Sequence, residues 1–172
     1  MSAQTQRLTP FELIPYALWV CLTGEGEAIS SIVVTWVSQL SFTPPLIGVA
    51  LENDSEFLRH VVSQGHLTLA MLPRDSGKDI AKRVLKAGGA PHDPGTDPGS
   101  MTGLLWAGVP HGALGAIRLI VSGTTTVGDH TLVIGIVTGQ ERWSEGNPLH
   151  LSDTGWKYTK PASDGPPPSS QD

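Results

Sequence analysis

A single cysteine, Cys21, occurs in 172 residues. One thiol excludes a disulfide within the chain and a zinc site built on several thiolates. Cys21 lies in the apolar run Leu18 to Leu22, where it reads as a small buried hydrophobe rather than a nucleophile. Charge is scarce as well. Asp, Glu, Lys and Arg make up 16% of the chain and sum to a net charge of −5, which leaves no broad positive footprint for nucleic acid. A small anionic ligand needs only local positive potential and stays open. No apolar run approaches the ~20 residues of a membrane span. No apolar leader follows Arg7, so cytoplasm is the expected compartment, with neither membrane nor nucleic acid as partner.

Catalytic signatures are missing too. There is no Gly-x-Gly-x-x-Gly after a strand, no Walker sequence, no His-Glu-x-x-His and no Gly-x-Ser-x-Gly. The six histidines are scattered without metal-ligand spacing, so no metal is expected. A hydrolytic triad exists only by free choice among serines.

What is present is a hydrophobic fraction of 39%, enough for a globular core. One domain is expected over residues 1–160, followed by a Pro-, Ser- and Asp-rich disordered tail, 161–172. Thr9-Pro10-Phe11-Glu12 has the form of a capping box. Strands are expected over Tyr16–Leu22, Ile29–Trp36, Leu46–Leu51, His66–Leu72, Leu114–Thr125 and Thr131–Thr138. Phe57, Leu58, Val61 and Val62 recur at helical spacing before Gly65. A second helix runs to Lys86 with Ile80, Val84 and Leu85 inward. Gly88 to Gly103, rich in Gly, Pro, Asp and Ser, reads as a surface loop or a lid. Gly128-Asp129-His130 joins the last two strands by something other than a clean two-residue primed turn. Six strands and two helices, with strands at both ends, favour a mainly β (α+β) fold: a six-stranded β-barrel with flanking helices.

The chain is organised around Val33 to Pro45. Thr35, Ser38 and Ser41 punctuate it, and Pro44-Pro45 cannot sit inside a paired central strand. Irregular backbone is therefore expected from Trp36 to Leu46. Its amides, hydroxyls and indole suit a phosphorylated planar ligand, or they merely serve a strand-to-strand crossover. Ser55, opening a helix, is a second candidate for phosphate; Asp54 beside it either repels that anion or caps the helix. Gly155-Trp156-Lys157-Tyr158 is a third, as a ligand cover or as a plug for the barrel end.

Taken in order, Thr35 to Pro45, Asn53-Asp54-Ser55, Gly128-Asp129-His130 before a strand containing Gly135, and Asp153 to Tyr158 resemble the flavin reductase-like proteins, the split-barrel FMN-binding family. The resemblance covers Phe11 to Tyr158. It implies a split barrel, a homodimer, and FMN near the subunit interface. By that similarity Thr35, Trp36, Val37, Ser38 and Ser41 hold the ring edge and ribityl chain, and Asn53, Asp54 and Ser55 the phosphate. Trp156 and Tyr158 then cover the open face. His130 lies near the flavin as the one acid–base candidate, or is only a turn residue. Relatives often carry Lys or Arg where this chain has Glu52 and Asn53, so Arg59, Lys78, Lys82, Arg83 or Lys157 is expected to supply the phosphate cation. The implied activity is NAD(P)H-dependent electron transfer through flavin to oxygen, a partner monooxygenase or a small acceptor. The alternative is an FMN-binding relay or sensor module without turnover.

Overall fold

A computed structural model describes residues 10–25, 29–87 and 108–157. After a 3₁₀ turn at Pro10–Leu13, seven strands follow: β1 (Trp19–Thr23), β2 (Ser30–Val34), β3 (Val37–Phe42), β4 (Pro45–Glu52), β5 (His66–Met71), β6 (Gly115–Val127) and β7 (His130–Arg142). The helices are α1 (Glu56–Gln64), α2 (Gly77–Ala87) and the short α3 (Leu151–Thr154). The strands form one antiparallel sheet in the order β2-β1-β5-β6-β7-β4-β3. The fold is thus mainly β with flanking helices, as expected, but it has seven strands rather than six, and the sheet does not close.

The extra strand is β3, within the stretch expected to be irregular. Val37 to Phe42 pairs with β4, from Val37 opposite Val49 to Phe42 opposite Pro45. Hydroxyls are tolerated there because β3 is a sheet edge with its central residues in solvent. Pro44 occupies the hairpin tip, with a cis Thr43–Pro44 bond, and Pro45 opens β4, so neither proline interrupts a central ladder.

Strand β1 is buried along its whole length because its alternate residues feed two cores. Val20 and Leu22 join Ala70, Leu72, Ile80 and Val84 on the α2 side. Trp19 and Cys21 join Phe57, Leu58, Val61, Leu69 and Val133 on the α1 side. Burial drives the Cys21 thiol pKa far upward, which removes its nucleophilic form. Val62 and Leu85, expected inside, are exposed, since each lies past the edge of its helix's buried stripe.

Strands β6 and β7 are longer than expected, and their turn is a clean two-residue one. Val127 pairs with His130 across Gly128-Asp129, and Gly128 alone takes positive φ (+62°) there, the Gly-first pattern of a type II′ hairpin. Bulges at Arg118/Leu119 and Val121/Gly123 bend the pair. At the bend a Cβ on Gly135 would stand 2.8 Å from Cβ of Leu119. That neighbour is anchored to backbone and cannot swing away. Gly135→Ala should therefore cost ~1–3 kcal/mol in denaturant unfolding, whereas an unchanged midpoint would contradict this packing.

The two edges of the sheet, β2 and β3, are consecutive in the chain and joined only by Thr35 and Trp36. The sheet must curl until its edges meet at that point. Trp36 O accepts from Ala50 N (3.0 Å), fastening the crossing to β4, and Thr35 O accepts from Val37 N (3.1 Å) at the start of β3.

Candidate functional site

The seam left by this crossing opens into a cleft of about 570 Å³, within the usual range for small-ligand sites. Leu18, Ile32, Val34, Ala50, Leu85 and Leu151 supply apolar walls, and Trp36 and Trp156 supply indoles. Thr35, Glu52, Ser55, His130 and Lys157 supply polar groups. Thr35, Trp36, Ser55, His130 and Trp156 are thereby brought together from four separate parts of the sequence. A second cleft of similar size, around Trp19, Met71, Gln140 and Arg142, holds none of the sequence-predicted residues.

His130 enters where β7 begins, opposite Glu52 of β4. Its buried ring packs on Trp36 with centroids 4.4 Å apart, and Tyr16 extends the cluster at 6.4 Å from Trp36. Its Nδ1 lies 2.6 Å from Oδ1 of Asp129. Ser55 is the N-cap of α1, with extended φ and ψ, and its Oγ accepts from Leu58 N. Asp54 therefore does not cap; its carbonyl accepts from Arg59 Nη1. The one carboxylate among the lining residues is Glu52, missed because only the β4–β7 register sets it beside His130.

The other predicted residues lie elsewhere. Val37 packs against the α1-side core. Ser38 is exposed on β3 and donates to Gln39 O, and Ser41 pairs opposite Leu46. Asn53 clamps the β6–β7 turn: its N donates to Asp129 O, its Nδ2 to Gly128 O, and its Oδ1 accepts from Thr131 Oγ1. Tyr158, the Gly88–Gly103 loop and the tail 161–172 fall outside the described residues.

Of the candidate cations, Lys157 lines the cleft. Lys82 pairs with Asp79, and Arg59 turns to its own helix start. Lys78 donates to Thr154 O and stands 5.8 Å from the Trp156 ring centroid. Trp156 N donates to Thr154 Oγ1, so the second indole is fixed through α3. Helix α3 is in turn held by Asp153, which accepts from Arg74 (2.7 Å) and from His150 N.

The Arg74 hydrogen bond, then the bond from His150 N, hold the Asp153 carboxyl below its ordinary pKa. A carboxyl lowered by folding contributes fully above the ordinary carboxylate range. That contribution disappears as pH falls through the lowered value. Acid titration of the Trp156 indole resonance should therefore show α3 loosening below the ordinary carboxylate range, and Arg74→Ala should move the transition upward. A transition unmoved by that substitution would show that Asp153 does not anchor the wall.

Two indoles, a hydroxyl-bearing edge and an imidazole are thus gathered at the seam of a curled antiparallel sheet. The family model for the flavin reductase like domain matches residues 11–159, and the chain belongs to that family. No curated protein matches its sequence significantly. Among solved structures it is similar to BorF, the flavin reductase component of a bacterial two-component tryptophan halogenase (TM-score 0.72, 22% identity, 84% of this chain and 90% of that one). It is also similar to the NADH:FAD oxidoreductase SgcE6 of Streptomyces globisporus (0.69, 19%, 88% and 89%). An FMN-binding protein from Thermus thermophilus (0.63, 23%, 83% and 80%) shares the fold as well.

Proposed function

We propose that this flavin reductase-family chain binds FMN in the seam cleft and uses NAD(P)H to reduce it, in the cytoplasm and as a homodimer. The observation that carries the reading is the convergence of Trp36, Trp156, Thr35, Ser55, His130 and Lys157 on one cleft. Flat aromatic surface suits a planar ring, and hydroxyl and amide groups suit its polar edge. Bound flavin supplies the redox chemistry, taking a hydride from the nicotinamide nucleotide and passing two electrons to oxygen, a partner monooxygenase or a small acceptor. The protein binds, orients and partly excludes water. Among the residues brought together, His130 is the acid–base candidate, and Lys157 is the cation placed to meet a phosphate.

A second copy is the proposed cover for the cleft. The face of β4 and β7 that carries Ala50, Glu52 and His130 continues into Leu46, Leu132, Ile134 and Ile136. Ile120 of β6 pairs beside Ile136, and Phe42 at the hairpin end is 86% exposed. Such an apolar stretch next to a ligand site favours burial against a partner. Phe42→Asp with Ile136→Asp should leave a monomer in sedimentation and weaken FMN binding. A double variant that stays dimeric removes this face from the interface.

Purified protein loaded with FMN should turn yellow and bleach on addition of NADH or NADPH. Yellow protein inert to both would support the relay or sensor module, consistent with the missing nucleotide motif and with the FMN-binding relative from Thermus. Protein that takes up no FMN removes both. Lys157→Ala should weaken FMN by up to ~5-fold, the scale of an exposed ion pair, and leave riboflavin unchanged. Equal loss for both ligands would move the phosphate elsewhere.

A further inference from the structure

We infer that Asp129 is a positioning residue: its carboxylate holds the His130 ring as the Nδ1-protonated tautomer, so that Nε2 acts as an acceptor for an N–H group of the ligand in the cleft. The inference rests on the reading of that cleft as the flavin site. An ionised carboxylate can only accept, so the 2.6 Å contact requires Nδ1 to carry its proton. In the neutral ring Nε2 then bears the lone pair. Asp129 does not line the cleft, whereas His130 does. Nδ1 is thus committed to a residue outside the cleft lining, and Nε2 is the ring nitrogen with acceptor character.

The pair is held from both sides. Trp36 packs against the ring in a tilted contact, with centroids 4.4 Å and planes 43° apart. The Gly128-Asp129 turn is clamped by two hydrogen bonds from Asn53, N to Asp129 O and Nδ2 to Gly128 O, while Asn53 Oδ1 accepts from Thr131 Oγ1 of β7. Asn53 thus acts on the site through the turn. The Asp129 side chain is 55% exposed and that of His130 only 9%, so the carboxylate selects orientation and tautomer while remaining largely solvated. The matching ligand chemistry is an N–H donor, present on the flavin ring and on the carboxamide of a nicotinamide nucleotide.

Long-range proton–nitrogen NMR of the His130 ring, at about pH 8 where free imidazole is neutral, reads the tautomer. Wild type should show protonated Nδ1 and bare Nε2. Asp129→Ala should shift the ring toward the Nε2-protonated form and slow reduction of preloaded flavin about tenfold, with flavin affinity changed less than about twofold. Asp129→Asn, whose Oδ1 still accepts, should restore the tautomer and most of the rate. Addition of FMN or of NAD+ alone distinguishes the donors by which one perturbs Nε2, and perturbation by neither overturns the acceptor role. A wild-type ring protonated at Nε2, or an Asp129→Ala variant with unchanged tautomer or rate, overturns the inference. Wild-type protein that reduces no flavin would sink the functional reading, and the ring shifts would still decide the role of Asp129.

Discussion

Two residues, Thr35 and Trp36, carry the chain from one edge of the sheet to the other. So short a link between opposite edges leaves the sheet no choice but to curl, and it fixes where the edges approach. Because the link itself makes no strand ladder, it opens a cleft instead of closing a barrel. Its backbone bond to Ala50 sets Trp36 against β4 and thereby against His130 across the β4–β7 pair. The site is therefore a consequence of topology.

Around that seam the chain assembles supports that are local and polar. The β6–β7 turn is pinned by Asn53 and places Asp129 behind His130. Arg74 and Asp153 hold α3, and α3 holds Trp156. Ser55 caps α1 at the rim. None of these groups belongs to the packed cores, whose burial of Leu, Val and Ile supplies the folding drive. The polar supports are separate from the cores, whereas the apolar cleft walls Leu18 and Val34 belong to them.

Much of this was legible in the sequence because it depended on short-range pattern. The β-branched runs, the Gly65 stop, the buried Cys21 run and the helical spacing of Phe57, Leu58 and Val61 all declared themselves. Thr35, Trp36, Ser55, His130 and Trp156 were reachable from residue type, order and resemblance. Strand β3 was not, since its hydroxyls look like loop chemistry until the neighbouring edge is known to be solvent. The clamp role of Asn53 and the place of Glu52 depend on register between β4 and β7, which no local pattern encodes. Val62 and Leu85 were misplaced because helical spacing gives a stripe but not its width. The family match and the similar folds of BorF and SgcE6 agree with the expected family and fold class.

A crystal structure of the chain with FMN tests the central claim most directly, because the described residues also form a cleft of similar size elsewhere on the sheet. The account predicts the flavin ring at the seam, in contact with Trp36 and Trp156 and within reach of His130. Flavin seated instead in the cleft of Trp19 and Arg142, or a seam filled by the protein's own side chains, would contradict it.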